Sequence, residues 1–265
     1  MANRRDFIAA AGGAGLASMG GLGAAGSETE DTSNGQRDLY ELRRYVIDHE
    51  PQRQAFDAFQ RDAAIHALNR IGITPVGVFY PENELSPIYM LLRHRSAESL
   101  LTSTQKLLAD AEYLRKGADF LNAPADKPAF QRMESSLLLA FKNMPTLETP
   151  VSNPGRVVQL RIYESPSVKT GQKKIEMFND AGEIAIFRRS GLHPVFFGES
   201  LVGARMPNLT YMLAFESAVQ LKANWAKFVS DPEWKKLSKM PEYSDKAILC
   251  GITNLILKPA DYSQI

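Results

Sequence analysis

The sequence is poor in the residues that close disulfides and hold metals. Its 265 residues include one cysteine, Cys250, and four histidines. One cysteine cannot close an intrachain disulfide, so the fold must rest on its hydrophobic core, and the apolar strand predicted around Cys250 makes it a buried thiol. No two histidines have the close spacing typical of zinc ligands on one element, and no phosphate-binding loop is present. We therefore expect neither a metal nor a cofactor.

A surplus of charge and a long apolar segment are also lacking. The chain has 31 Lys and Arg against 30 Asp and Glu, a formal net charge of +1. Non-specific nucleic-acid binding depends on an excess of cations, so nucleic acid is not an expected partner. No segment after the N-terminus offers about 18 consecutive apolar residues, which excludes stable membrane insertion once a signal is removed.

The N-terminus has the pattern of an export signal. Arg4 and Arg5 come shortly before Phe7, and a weakly apolar run of Ala and Gly follows. This pattern predicts a twin-arginine signal over residues 1–26 and a flexible leader over 27–37. The mature protein would be periplasmic or extracellular. The alternative is a disordered tail that happens to contain an arginine pair.

The sequence contains an internal repeat of about 110 residues. The offset between matching residues drifts only between 118 and 122, as small loop insertions would cause. The matching segments are 40–45 with 158–163, 59–79 with 178–198, 89–91 with 211–213, 96–100 with 217–221 and 110–113 with 231–234. The repeat predicts two similar domains, 38–143 and 156–265, joined by a proline-rich linker at 144–155.

Each copy has the pattern β-α-β-β-α-β, which is that of a ferredoxin-like unit. The predicted strands are 38–47, 74–80, 88–94 and 133–141 in the first copy, and 157–163, 193–197, 209–215 and 247–257 in the second. The predicted main helices are 52–70, 97–108, 169–190 and 218–229. A sheet with helices on one face leaves its other face uncovered, and two such sheets can cover each other. The sequence thus predicts an α+β fold: tandem ferredoxin-like repeats whose antiparallel sheets pack face to face as an α+β barrel, with the helices outside.

Several motifs give the chain a family resemblance from about Asp38 to Pro259. They are Tyr40-Glu41-Leu42-Arg43-Arg44-Tyr45 and its partner Leu160-Arg161-Ile162-Tyr163, Gly191-Leu192-His193-Pro194-Val195, Asn208-Leu209-Thr210-Tyr211-Met212-Leu213, and Trp225 with Asp231-Pro232-Glu233-Trp234. The chain resembles the NIPSNAP family, within the class of dimeric α+β barrel proteins. The resemblance implies the fold and leaves the chemistry open, because the class contains monooxygenases, isomerases and stress proteins. The polar residues that the monooxygenases use do not map onto matched positions here.

Strand alternation selects the candidate site residues. It predicts that Val158, Leu160 and Ile162 meet the helices and that the alternate residues line the space between the sheets. The candidates on that second face are Arg43, Tyr45 and His94 from the first copy and Arg161, Tyr163 and Glu216 from the second, accompanied by Glu41 and Gln159.

Two interpretations of these residues remain open. In the first they are buried ion pairs and hydrogen bonds that dock the two copies, and their repetition in both copies favours this. In the second they line a ligand pocket in which Arg43 and Arg161 clamp an anion and His94 is an acid or base.

Three functional hypotheses follow. The first is an exported protein that binds a small organic ligand, or a partner, between the sheets or in a cleft between sheet and helices. The second is a cofactor-poor monooxygenase or isomerase. The third is a self-associating structural module, for which a homo-oligomer is the expected state.

The twin-arginine pattern makes a direct prediction about export. Replacing Arg4 and Arg5 together with Lys should keep the protein in the cytoplasm, because the motif requires arginine itself and not merely positive charge. Cell fractionation and immunoblotting measure this, with the unmodified chain as the control. Unchanged export of the double variant would refute the assignment.

Overall fold

The computed structural model describes residues 36–265. The predicted signal and all but the last two residues of the predicted leader lie outside this range. In the first half the strands are β1 (Leu39–Val46), β2 (Val76–Pro81), β3 (Ile88–His94) and β4 (Arg132–Ala140). The helices are α1 (Glu50–Phe59), α2 (Ile65–Arg70), α3 (Ala97–Leu108), α4 (Ala111–Lys116) and α5 (Ala118–Leu121), and a π-helical segment, Gln60–Ala64, joins α1 to α2.

The second half repeats this order of elements. Its strands are β5 (Val157–Glu164), β6 (His193–Val202), β7 (Asn208–Phe215) and β8 (Gly251–Pro259). Its helices are α6 (Val168–Asn179), α7 (Glu183–Arg189), α8 (Ala218–Ser230), α9 (Pro232–Leu237) and α10 (Asp245–Ile248), with a short 3₁₀ turn at Pro241–Tyr243. None of the helices from residue 36 onward is long and apolar enough to cross a bilayer.

The eight strands form one closed barrel in the order β1-β3-β2-β8-β5-β7-β6-β4. Each half contributes its strands in the ferredoxin-like order, β4-β1-β3-β2 and β8-β5-β7-β6, and every pairing is antiparallel. The edge strands of the two halves pair with each other: β2 is hydrogen-bonded to β8, and β4 is hydrogen-bonded to β6. The predicted α+β barrel fold is confirmed, and its closure leaves no strand edge of this barrel open to pairing.

Three apolar cores hold the barrel and its helices together, and a fourth, smaller one packs the first-half helices against one another around Phe59 and Tyr113. The interior is filled by residues from both halves, among them Tyr40, Leu42, Leu160 and Phe196. A second core lies between the strands of the first half and α1 and α2, and a third lies between the strands of the second half and α6, α7 and α8. An eight-stranded barrel is just wide enough for side chains to fill, and here the filling is apolar.

Local signals place the helix ends where the sequence predicts them. Gly72 has φ of +84° just after α2, and Gly191 has φ of +79° at the matching point after α7. A residue in the left-handed region at this position ends a helix, and glycine adopts it without strain. Ser96 and Ser217 cap α3 and α8 by accepting hydrogen bonds from the backbone N–H groups of the first turn.

The predicted helix 169–190 is in fact two helices. The chain leaves the helical path after Asn179 and re-enters it at Gly182, whose φ of +90° is incompatible with a continuous helix. The matching segment of the first half contains no glycine and remains helical by widening into the π-helical segment.

The prediction for Cys250 is wrong. Strand β8 begins one residue later, at Gly251, and Cys250 is an exposed residue in a bend. Strand β6 is also longer than predicted, reaching Val202, because it pairs on both sides, with β4 and β7.

Segments outside the regular elements complete the barrel interior. Between β4 and β5, Leu147 is buried among the interior side chains, and its backbone N–H donates to Asp38 Oδ2 at 3.0 Å. After β8, Ile265 is buried in the same core, and the N–H of Gln264 donates to the carbonyl of Val76. The residues predicted as a linker therefore pack against both halves.

Closure of the barrel predicts that neither half is stable alone. Fragments 36–145 and 151–265, expressed separately, should form dimers or aggregates, because each would expose one apolar face and two unpaired strand edges. Light scattering after size-exclusion chromatography measures the outcome, with the 36–265 chain as the control for solubility. Two stable, soluble monomers would contradict the shared interior.

Candidate functional site

The candidate residues lie on the outer face of the barrel, beneath the helices. The predicted assignment of strand faces is reversed: Val158 and Leu160 fill the barrel interior, whereas Tyr45 and Tyr163 belong to the cores between sheet and helices. Because successive side chains alternate, Arg43 and Arg161 share the outer face with these tyrosines.

The physical reason for the reversal is the closure of the barrel. A closed interior excludes water. On each strand, the more apolar of the two alternating sets of side chains therefore faces the interior. The outer face is covered only in part by helices and can hold polar groups whose remaining hydrogen-bonding capacity meets solvent. Strand alternation defines two faces but does not say which of them is enclosed.

Glu216 is not part of the site. The register pairs Leu39 with His94 and Val157 with Phe215, so Phe215 is the second-half equivalent of His94. The alignment of Tyr89 with Tyr211 was one residue out of step, and such a slip moves a side chain to the opposite face. Glu216 is an exposed residue just beyond β7.

In the first half, the predicted residues form a polar cluster around Glu41. Arg43 donates to both carboxylate oxygens of Glu41, with distances of 2.7 Å from Nε and 2.9 Å from Nη2. Ser135 Oγ donates to Glu41 Oε1 at 2.8 Å, and Nε2 of the fully buried His94 lies 3.5 Å from Glu41 Oε2. Tyr45 is buried beside them.

These contacts fix the ionisation of Glu41. Burial raises the pKa of this carboxyl, but the nearby His94 and the hydrogen bonds from Arg43 and Ser135 outweigh burial and lower the pKa to about 2. Glu41 is therefore a carboxylate at neutral pH, and it neutralises Arg43.

In the second half, Gln159 takes the place of Glu41. Trp225 Nε1 on α8 donates to Gln159 Oε1 at 2.7 Å, and Gln159 Nε2 donates to Asn254 Oδ1 on β8 at 2.8 Å. Tryptophan can only donate, so it fixes the orientation of the amide. The amide is buried with both ends occupied by neutral partners.

Arg161 differs from Arg43 in having no counter-charge. The described part of the chain gives Arg161 no ion-pair partner, and its Nε is buried without a hydrogen-bond acceptor. Its guanidinium carbon lies 5.0 Å from the ring centre of Trp225 and 5.2 Å from that of Tyr163. A cation between two aromatic rings is held in place, but its charge is not neutralised.

A buried polar group lies deeper beneath the helices of the second half. The hydroxyl groups of Tyr163 and Tyr211 are 3.0 Å apart, and burial raises the pKa of both. Lys174 Nζ lies 3.4 Å from Glu183 Oε2, and both side chains are enclosed. Glu183 is thus already paired with Lys174.

The site in each half opens along the last strand. In the second half Asn254 is exposed and Ile252 is 50% exposed, and both lie on the face of Arg161. In the first half Ser135 is exposed and Met133 is 44% exposed at the matching positions. Solvent therefore reaches the edge of each polar cluster. We use the name second-half cleft for the surface at which Arg161 and Trp225 meet the exposed side chains of Ile252 and Asn254.

Three of these residues are not among the candidates that the sequence predicts. Trp225 packs against the core of the second half and also donates to Gln159. Ser135 and Asn254 were not considered, although they stand opposite Arg43 and Arg161 in the register. Extending the repeat alignment through the last strand of each copy would have paired them.

Two cavities elsewhere on the described part of the chain are lined by none of the predicted site residues. A cleft of about 700 Å³ runs between α1 and the α5 region, past Phe59 and Phe120, and a shallower one of about 550 Å³ lies beside Tyr80. Among residues 36–265, no three His, Cys, Asp or Glu side chains form a cluster that could hold a metal.

One known protein family matches most of the second half of the chain. Residues 158–264 match the NIPSNAP family. The matched range contains Arg161, Trp225 and Asn254. No curated protein matches the chain.

Solved structures share the whole barrel. A "putative monooxygenase" from Lactobacillus acidophilus superposes with a TM-score of 0.57 at 9% identity, covering 84% of this chain and 94% of its own. An "anthrone oxidase-like protein" gives 0.51 at 10% identity, covering 86% and 93%. A NIPSNAP family protein from Agrobacterium tumefaciens is 21% identical with a TM-score of 0.37, covering 42% of this chain and 98% of its own. The likeness to the first two shows that they share the fold.

The unequal neutralisation of the two arginines predicts unequal effects on stability. Arg43→Ala should lower the free energy of unfolding by about 3 kcal/mol, because it leaves Glu41 buried without its cation. Arg161→Ala should lower the free energy of unfolding by only about 1 kcal/mol. It removes packing against Trp225 but leaves no carboxylate without its partner. Urea unfolding at pH 7 measures both.

Arg188→Ala is the control for this pair. Arg188 forms an exposed ion pair with Glu148, and its removal should change stability by no more than about 0.5 kcal/mol. Equal losses for Arg43→Ala and Arg161→Ala would contradict the difference in charge between the two clusters.

Proposed function

We propose that the whole chain is an exported NIPSNAP protein that binds a small organic ligand in the second-half cleft. The family match to residues 158–264 and the internal repeat support the first part. The arginine pair before a weakly apolar run supports export. The geometry around Arg161 supports binding.

Arg161 is the observation that carries the proposal. Arg161 is half-buried, and a cation that is partly removed from water is stabilised by an anionic partner. Here the guanidinium is positioned by Trp225 and Tyr163 while its Nε has no acceptor. A site that remains incomplete in the folded chain and opens to solvent at Asn254 is suited to receiving a ligand.

The groups around Arg161 are suited to binding more than to acid–base catalysis. Its neighbours on the strands and on α8 are Gln159, Tyr211, Trp225 and Asn254. Burial raises the pKa of Tyr211, so this hydroxyl remains protonated at neutral pH. The one histidine among the candidates, His94, lies in the first half, and its counterpart in the second half is Phe215.

The two alternative functions stay predictions. Likeness to proteins described as monooxygenases shows a shared fold, and a shared fold does not carry an activity with it. Self-association is not needed to close the barrel, because β2 pairs with β8 and β4 with β6 within one chain.

Native mass spectrometry of the exported protein tests the proposal. Protein purified from the periplasm without denaturation should carry an additional small-molecule mass. Ile252→Trp should fill the mouth of the cleft and lower the bound fraction at least about tenfold, because the indole would occupy space on the face of Arg161.

Val219→Trp is the matched control. Val219 lies on α8 and is 77% exposed. Val219→Trp places an indole outside the cleft, so the ligand content of this variant should equal that of the unmodified chain. Absence of any bound mass, or equal retention in both variants, would contradict binding in the second-half cleft.

A further inference from the structure

We infer that the ligand of the second-half cleft binds Arg161 through a carboxylate, and that Glu41 supplies the equivalent carboxylate to Arg43 from within the chain. This rests on the proposed function and names the chemical class of the ligand. The inference comes from comparing the same position in the two halves.

The register makes the two arginines equivalent. Arg43 stands opposite Met90 and Ser135, and Arg161 stands opposite Tyr211 and Asn254. In each half the arginine is on the first strand of the unit, between the third and the last strands. The residue two positions earlier is Glu41 in one half and Gln159 in the other.

The first half shows how a carboxylate satisfies this arginine. Arg43 uses Nε and Nη2 to hold the two oxygens of Glu41 at 2.7 and 2.9 Å. This is the bidentate arrangement in which the planar guanidinium binds carboxylates most strongly. Glu41 thus fills the site of the first half.

The second half has the same arginine without the carboxylate. Gln159 carries no charge, and its two amide ends are taken by Trp225 and Asn254. Nε of Arg161 corresponds to the atom that holds Glu41 in the first half, and it is the atom left buried without an acceptor.

No carboxylate among residues 36–265 forms an ion pair with Arg161. From the helices, Lys174 and Glu183 approach the same polar group; Lys174 lies 3.4 Å from Glu183, and burial raises the pKa of Glu183 while the charges of Lys174 and Arg161 lower it. Asp245 lies 3.7 Å from Lys174 and is largely exposed. The strand neighbours Tyr211 and Asn254 are uncharged, so a ligand carboxylate would find a cation already positioned.

Fluorine NMR on the full mature chain tests the inference with two probes, 4-fluorobenzoate and its neutral counterpart 4-fluorobenzamide. The unmodified chain should give one bound resonance with 4-fluorobenzoate, and the benzamide should bind at least about tenfold more weakly because it lacks the charge. Ile252→Trp should remove the bound resonance.

Two reciprocal variants test the role of Glu41. Gln159→Glu gives the second half its own carboxylate and should abolish the bound resonance. Glu41→Gln removes the internal carboxylate of the first half and should therefore add a second bound resonance, from probe held by Arg43. Gln105→Glu, the same chemical change at an exposed position on α3, should leave the spectrum unchanged, and thermal unfolding should show that all variants are folded.

Three results would overturn the inference. They are absence of bound 4-fluorobenzoate in the unmodified chain, equal binding of the two probes, and retention of binding in Gln159→Glu. A single resonance in Glu41→Gln would overturn the role assigned to Glu41. If the benzamide binds as well as the benzoate and Ile252→Trp blocks both, the cleft still binds a ligand. Only the inference that the ligand binds through a carboxylate is then wrong. If the native mass spectrum also shows no bound mass, the proposed function fails as well.

Discussion

Closure of the barrel through the β2–β8 and β4–β6 hydrogen bonds is the constraint on which the rest of the structure depends. It turns two four-stranded sheets into one enclosed interior shared by both halves. The interior then has to be apolar, and Leu42 and Leu160 occupy it. The alternate residues, including Arg43 and Arg161, are placed outside, beneath helices that cover the sheet incompletely.

The two halves share a framework but differ in how they neutralise one cation. The first strand of each unit carries an arginine and, two residues later, a buried tyrosine. Glu41 makes the first cluster complete, whereas Gln159 leaves Arg161 with its positive charge and adds a bond to Trp225. Of the differences between the two clusters, the change from acid to amide is the one that removes the carboxylate partner of the arginine, because the carboxylate supplies both charge and bidentate geometry.

Much of the architecture could be predicted before the structure. The helix ends at Gly72 and Gly191 and the cap at Ser96 depend on contacts between near neighbours in the chain, which local sequence encodes. The site was predicted less well. Arg43, Tyr45 and His94 do lie together, as do Arg161 and Tyr163, but on the outer face, and Glu216 entered through a shift of one residue in aligning β7 with β3.

The order of elements, the repeat and the two alternating sets of residues on each strand are properties of the sequence alone, because they arise from local periodicity. Which set faces the interior was decided by the tertiary structure, since both sets contain large apolar side chains and only closure encloses one of them. Tertiary structure also decided that no carboxylate among residues 36–265 is paired with Arg161. The sequence contains enough acidic residues to neutralise it, but their distances follow from strand register and helix packing.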